Sequence, residues 1–374
     1  MSALNLNTNN MIVQDVINHL EELAPLAYAE DFDNVGLLVG NKTQKITGIL
    51  VTLDTLEAVV DEAIQTNCNL IISFHPIIFK GLKKITGKNY VERVVMKAIK
   101  HDIAIFSIHT ALDNTLQGVN NMICNQLELI KNRILIPQSE TIKKLTTYVP
   151  KNEAEQLRTA LFKIGAGNIG NYSDCSFNVE GYGTYKGNEN SNPTKGKKNK
   201  THTEKETKIS VTYSKHLESE VLQTLFKTHS YEEVAYEITT LENKNQNIGM
   251  GMIGEFAEPM DESNFLKYLK TKMNTGCIKH SSFLNKKIKK VAVLGGSGSF
   301  AINAAKANGA DAFVTADLKY HDFFTAENSI LLAYIGHYES EQFTKNLLVA
   351  YLTKKITNFA IILSNIDTNP VKYF

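Results

Sequence analysis

Short, continuous apolar runs alternating with helix-patterned segments constrain this chain more than any other feature. Residues 46–53 (ITGILVTL), 69–73 (NLIIS) and 103–108 (IAIFSI) read as strands, each apolar on both sides. Between and around them, apolar residues recur at helical spacing over 11–23, 57–66, 89–100 and 118–127. Strands of this kind need cover on both faces, so the alternation predicts a mainly parallel sheet between helices. The pattern returns after residue 250, with helices over 262–273, 301–308 and 339–352 and strands over 290–294, 312–315, 330–335 and 359–363. The expected fold is α/β, with two related α/β halves, residues 1–140 and 246–374, forming one core.

The stretch between them, residues 141–245, differs. Strand, helix, strand, strand, helix, strand follow in order at 141–149, 154–164, 176–180, 209–213, 217–229 and 235–240. That order predicts an inserted ferredoxin-like (PII-like) α+β domain. Inside it, residues 185–208 hold seven lysines, three glutamates and almost nothing apolar, which predicts a mobile, solvated loop.

Composition excludes several classes. The 40 Lys and Arg against 39 Asp and Glu leave no global attraction for nucleic acid or an anionic membrane. No apolar run reaches the roughly 18 residues of a membrane helix, and the polar residues 1–10 lack a signal-peptide pattern. Cys68, Cys124, Cys175 and Cys277 form no CxxC pair, which excludes a disulfide framework and a Cys-rich zinc module. Reduced thiols in a cytoplasmic protein are expected. No Gly-x-Ser-x-Gly elbow is present, and no cysteine has an evident activating neighbour.

Function is written at the strand ends. Successive strands deliver Asp54, His75, His109 with Asp113, Asp317 with His321, and His337 with Glu341. Ligands of open α/β sheets bind beyond the carboxyl ends of strands, so these residues are expected to meet along one edge. His337 and Glu341 are spaced to share one helix face, and such a His/carboxylate mix suits zinc, manganese, iron or cobalt. His75 before Pro76 is either a ligand or a core histidine bonded to a carbonyl. Asp113 is either a ligand or a turn cap. The run Gly295-Gly296-Ser297-Gly298-Ser299 is either an anion cradle or a tight strand–helix turn. His321 is a substrate contact, an acid/base group or part of a solvated turn.

The runs DFDNVGLLVG (31–40), SFHPIIFKGLKKI (73–85), IHTALDN (108–114), GGSGS (295–299), TADLKYHD (315–322) and GHYESE (336–341) resemble the GTP cyclohydrolase 1 type 2 homolog family, the Nif-three-like metal-binding proteins. GAGNIGNYSDCSF (165–177) and HSYEEVAYEI (229–238) resemble the PII-like insert of its longer bacterial members. The resemblance implies a ring-shaped homohexamer with up to two divalent ions per subunit, and His75, Asp113, His337 and Glu341 as ligands. One departure stands out: Phe74 occupies the place of the first of two adjacent histidines. A phenyl ring cannot ligate a cation, so the second ion lacks a ligand. With a metal-activated water, the implied activity is hydrolysis of a phosphoester or nucleotide-like substrate, with His109 or His321 shuttling the proton. The alternative is a non-catalytic metal-binding scaffold or regulator whose insert senses a small ligand.

Overall fold

The computed structural model describes residues 11–357 and 359–374, so the polar start, 1–10, lies outside it. The chain forms two compact units, one of Met1–Pro137 with Gln246–Phe374 and one of Gln138–Asn245.

The first unit begins with α1 (Val13–Leu23), β1 (Gly36–Val39), β2 (Ile49–Thr52), α2 (Glu57–Gln65), β3 (Leu70–Ser73), α3 (Tyr90–Lys100), β4 (Ala104–Ser107), α4 (His109–Asp113), α5 (Val119–Gln126) and β5 (Ile130–Gln138). The second unit contains β6 (Ile142–Pro150), α6 (Ala154–Lys163), β7 (Phe177–Tyr185), β8 (His202–Ser214), α7 (Glu218–Thr228) and β9 (Tyr236–Leu241). The chain then continues with β10 (Asn245–Asp261), α8 (Glu262–Lys272), β11 (Lys279–His280), β12 (Lys287–Ser297), α9 (Ile302–Ala307), β13 (Ala312–Ala316), β14 (Leu331–Tyr334), α10 (His337–Glu341), α11 (Thr344–Lys355) and β15 (Ile361–Leu363).

Two sheets build the first unit, in the orders β1-β4-β3-β2-β15 and β11-β14-β13-β12-β10-β5. Strands β2, β3, β4 and β15 run parallel, as do β12, β13 and β14. Every residue of β2, β3, β4 and β13 is buried, as expected of strands covered on both faces. The halves interlock: β5 joins the later sheet and β15 the earlier one. One core, including Val51, Ile72 and Phe106 from the first sheet and Val291, Val314 and Leu331 from the second, packs with α1, α5 and α11. Burying each such side chain contributes about 1.5–3 kcal/mol. The outer face of the first sheet is covered by Val59 and Val60 of α2 and Val94 and Val95 of α3.

Register positions the site. Thr52 pairs with Ser73 and Ser73 with Ser107, so β2, β3 and β4 end level with one another. Asp54, His75 and His109 therefore leave the sheet along one edge. In the second sheet Thr315 pairs with Tyr334, and Asp317 and His337 follow the same way.

The second unit is an antiparallel sheet in the order β7-β8-β6-β9. Leu145, Val149, Ile209 and Val211 pack one of its faces against Leu157 and Leu161 of α6 and Val221 and Leu225 of α7. The stretch expected as a loop over 185–208 is shorter, because β8 starts at His202. Its charges sit on a strand: Glu180 of β7 pairs with Lys205 of β8 at 3.9 Å and with Lys151 at 2.7 Å. Such cross-strand pairs let a polar sequence form a sheet edge. The remaining loop is tied back by Asn192 N–H to Glu232 Oε1 (2.7 Å) and Thr194 Oγ1 to the Ser230 carbonyl (2.9 Å).

Candidate metal centre

The backbone carries the ladder of β3 one step beyond its end. Phe74 N–H donates to the Thr52 carbonyl and His75 N–H to the Leu53 carbonyl. Pro76 holds His75 extended, which aims its ring out of the sheet edge. There His75 Nδ1 meets Asp54 Oδ1 at 2.8 Å, and Thr368 Oγ1 donates to the other Asp54 oxygen at 2.6 Å. His337 opens α10 after Gly336, and its Nδ1 meets Asp317 Oδ2 at 2.6 Å. Ser297 Oγ donates to that same Asp317 oxygen. A carboxylate on Nδ1 fixes the ring and leaves Nε2 to face outward, the arrangement that supports metal-ligating histidines.

Both Nε2 atoms point at one oxygen. His75 Nε2 lies 3.1 Å and His337 Nε2 3.2 Å from Glu341 Oε2. The ligand atoms of these three residues all fall within 4.8 Å of one another. They approach without hydrogen-bond geometry, so His75 Nε2 and Glu341 Oε2 are both buried and unpartnered. Asp113 Oδ1, at the end of α4, is buried and unpartnered too. Asp113 Oδ1 costs about 1–3 kcal/mol as it stands, whereas Glu341 Oε2 is offset by the two imidazoles beside it; a cation among them would take the place of the imidazole protons. The donor set therefore fits a divalent ion of the zinc, manganese or iron type, with His75, His337 and Glu341 forming the shell. His75 and His337 meet at one point, Glu341 Oε2. Asp113 faces the same charges without joining the tight triad.

Electrostatics support this arrangement. Burial raises the Asp113 carboxyl well above its ordinary range, and neighbouring Glu341 adds to that. Burial alone would raise Glu341 as well, but His337 and His75 beside it prevail and hold it low. Burial alone would lower His75, yet Asp54 and Glu341 push it up to about 10. His337 rises to about 11 in the same way, through Asp317 and Glu341.

The glycine run is the irregular end of β12 built around Glu341, where the register with β13 shifts between Val293 and Ser297, not an anion cradle. Gly295 N–H donates to Asn120 Oδ1 and Gly296 N–H to Ser340 Oγ, so neither is left for an anion. Gly296 has φ +68°, and a side-chain carbon there would stand 2.6 Å from Glu341 Oε1. Only glycine leaves room for the carboxylate.

His109 stands beside the triad, its ring edge-on to His75 at 5.3 Å. Its φ of 22° is rare for a residue with a side chain, a conformation that recurs at functional sites. Asp33 Oδ1 holds His109 Nδ1 at 2.8 Å, and Thr110 N–H donates to the second Asp33 oxygen. Burial alone would raise the Asp33 carboxyl, but His109 and Thr110 bring it down to about 2. Phe74 is fully buried, with its ring 4.9 Å from His75 and 5.5 Å from His109. His321 is not brought in: it is exposed in a short 3-10 helix over Tyr320–Ala326, against Tyr320 and Phe324. Sequence reasoning missed Asp33, although the DFD run held it, and placed Asp54 and Asp317 along the strand-end edge without assigning them the histidines they orient.

A profile of the Duf34/NIF3 (NGG1p interacting factor 3) family matches residues 11–370. The chain belongs to the Duf34/NIF3 family. The GTP cyclohydrolase 1 type 2 homolog of Bacillus subtilis is 36% identical over 369 residues, which span 96% of this chain and 98% of that protein. A crystal structure of a Bacillus cereus protein related to NIF3 superposes with a TM-score of 0.83 at 34% identity, covering 98% of this chain and 100% of the other. A Staphylococcus aureus crystal structure gives 0.78 at 30% identity, covering 98% and 99%. Membership in this Duf34/NIF3 family agrees with the resemblance carried by the six motifs. Among the described residues, no helix is long and apolar enough to cross a membrane.

Proposed function

We propose that this Duf34/NIF3 protein is a metal-dependent hydrolase holding one tight divalent ion among His75, His337 and Glu341. The supporting observation is the convergence of two carboxylate-held imidazoles on one buried, unpartnered oxygen. An ion there supplies a water that ionises near neutral pH and polarises a phosphoryl oxygen. Asp113 adds a fourth donor or orients the attacking water. His109, fixed at Nδ1 by Asp33, keeps Nε2 for proton transfer. Exposed Phe32 and Phe79 have ring centroids 6.5 Å apart, with Phe79 6.4 Å from His109, and offer apolar faces for a planar base. The B. subtilis relative is named for a nucleotide, GTP, which supports a nucleotide-like substrate.

Screening nucleotides and phosphoesters with and without added zinc, manganese and iron tests this reading. His109→Ala should reduce turnover by about 10²–10⁴-fold while the bound metal stays unchanged. Phe74 favours a second reading, a metal-binding scaffold without catalysis, because it removes a histidine from the centre. Full metal occupancy with no turnover of any phosphoester supports that alternative. The strand order of the insert supports a ferredoxin-like, PII-like module, and family membership supports a hexameric ring in the cytoplasm. Sedimentation equilibrium giving the 41.7 kDa monomer would remove the ring.

A further inference from the structure

The inserted unit has a cavity of about 680 Å³ that the metal centre does not use. It opens on the sheet face opposite α6 and α7. Along β8, Ile209 and Val211 point to the helices, so Glu206 and Lys208 point the other way, beside Tyr148 of β6. On β7 the cavity floor is glycine: Gly181 and Gly183 present no side chain where a strand ordinarily would. A carbon added at Gly181 would meet nothing within 4 Å, and one at Gly183 would collide with the Glu206 carboxylate. The volume lies within the range of small-molecule sites, about 300–1,000 Å³.

The chemistry of the walls is selective. Glu206 is only 7% exposed, yet no lysine, arginine or histidine among the described residues pairs with it. Among the described residues its one hydrogen-bond donor is the Tyr231 hydroxyl, at 2.9 Å from Oε1. A buried carboxylate with one neutral donor lacks a positive partner. Around it stand aromatic faces: the Tyr185 and Tyr231 rings lie 5.8 Å apart, and Lys208 Nζ already sits over the Tyr148 ring at 5.8 Å. Tyrosine faces attract cations. Glu232 and Glu233 also line the cavity, against Lys186 and Lys208, while Glu180 is matched by Lys151 and Lys205; with Glu206 the remaining acids exceed the lysines by one.

We propose that this cavity binds a small organic cation, a primary amine or guanidinium on an apolar body, with its N–H groups on Glu206 and its body against the tyrosine rings. The N–H requirement follows from the carboxylate, which needs a donor that a quaternary ammonium lacks. The site is independent of the metal centre and stands whether or not that centre is catalytic.

Calorimetric titration of the full chain in EDTA tests it, with tyramine and agmatine as probes and para-ethylphenol, tyramine without its amine, as the control. Both amines should bind with dissociation constants below about 1 mM and the control about tenfold or more weakly. Glu206→Gln should bring tyramine down to the level of the control. Tyr185→Ala keeps the Glu206–Tyr231 bond and should weaken both amines about fivefold or more; it decides the matter if Glu206→Gln disturbs folding. Equal binding of tyramine and para-ethylphenol, undiminished binding in Glu206→Gln, or no amine binding at about 10 mM overturns the proposal. Tighter binding of ATP than of either amine overturns it as well.

Discussion

His75 Nε2 stands 3.1 Å from Glu341 Oε2, and the two buried atoms share no hydrogen bond. Each has its remaining contacts arranged so that this approach persists. Asp54 holds the far side of the imidazole, and the φ +68° backbone at Gly296 leaves space for the carboxylate. Without metal the Glu341 charge is matched by imidazole protons, and a divalent cation would take their place.

The outer carboxylates should therefore matter almost as much as the ligands. Asp54→Asn and Asp317→Asn each leave the ligand set whole but loosen one imidazole. Each should weaken metal binding by roughly 10–100-fold, measured by competition with a chelating dye. Unchanged affinity in both would mean that the histidines are not ligands.

Gly296→Ala tests the carboxylate from the other side. The new carbon would overlap Glu341 Oε1, in a backbone region that alanine enters at a cost of about 1–2 kcal/mol. Metal affinity should fall more than thermal stability does. A variant that binds metal normally would show that Glu341 does not need its present position.

Phe74→His restores a ligand at a fully buried position. Metal content should rise from one toward two ions per subunit. Without metal the variant should lose about 1–3 kcal/mol of stability, read from denaturant unfolding, because an imidazole replaces an apolar ring. Content that stays at one would place the altered residue outside any second site.

Protons and metal compete for the same atoms. The imidazoles of His75 and His337, held up to about 10 and about 11, are protonated at neutral pH without metal. Binding should release about two protons per ion and strengthen as pH rises. Calorimetry in buffers of different ionisation enthalpy reads this directly, and release of none contradicts it. For the metal-free protein the sign reverses. A folded-state value above the ordinary 6.5 gives stability that is complete below about 6.5 and lost as pH rises through about 10 and about 11. The metal-free melting temperature should decline across that window.

How much of this was legible in the sequence depends on the kind of signal. The buried strands β2, β3, β4 and β13 stood out because burial on both faces leaves unbroken apolar runs. Their level ends made His75, His337 and Glu341 readable as neighbours. Strand β10 did not stand out, because Gly249, Gly251 and Gly254 interrupt it and glycine carries no strand preference. The 202–208 part of β8 was hidden by its charges. Asp33 was missed for a different reason: it comes from a segment before β1 and reaches His109 only through tertiary packing. No periodicity marks such a contact. The distinction between a ligand and the carboxylate that holds it also needs distances, as Asp54 and Asp317 illustrate.

Elemental analysis of chelator-free protein, beside Glu341→Gln and His337→Ala, tests the metal centre most directly. The unmodified chain should carry close to one zinc, manganese or iron ion per subunit, and both variants close to none. Metal-free wild-type protein that takes up no ion on titration, or variants that retain the full complement, would contradict a centre made of His75, His337 and Glu341.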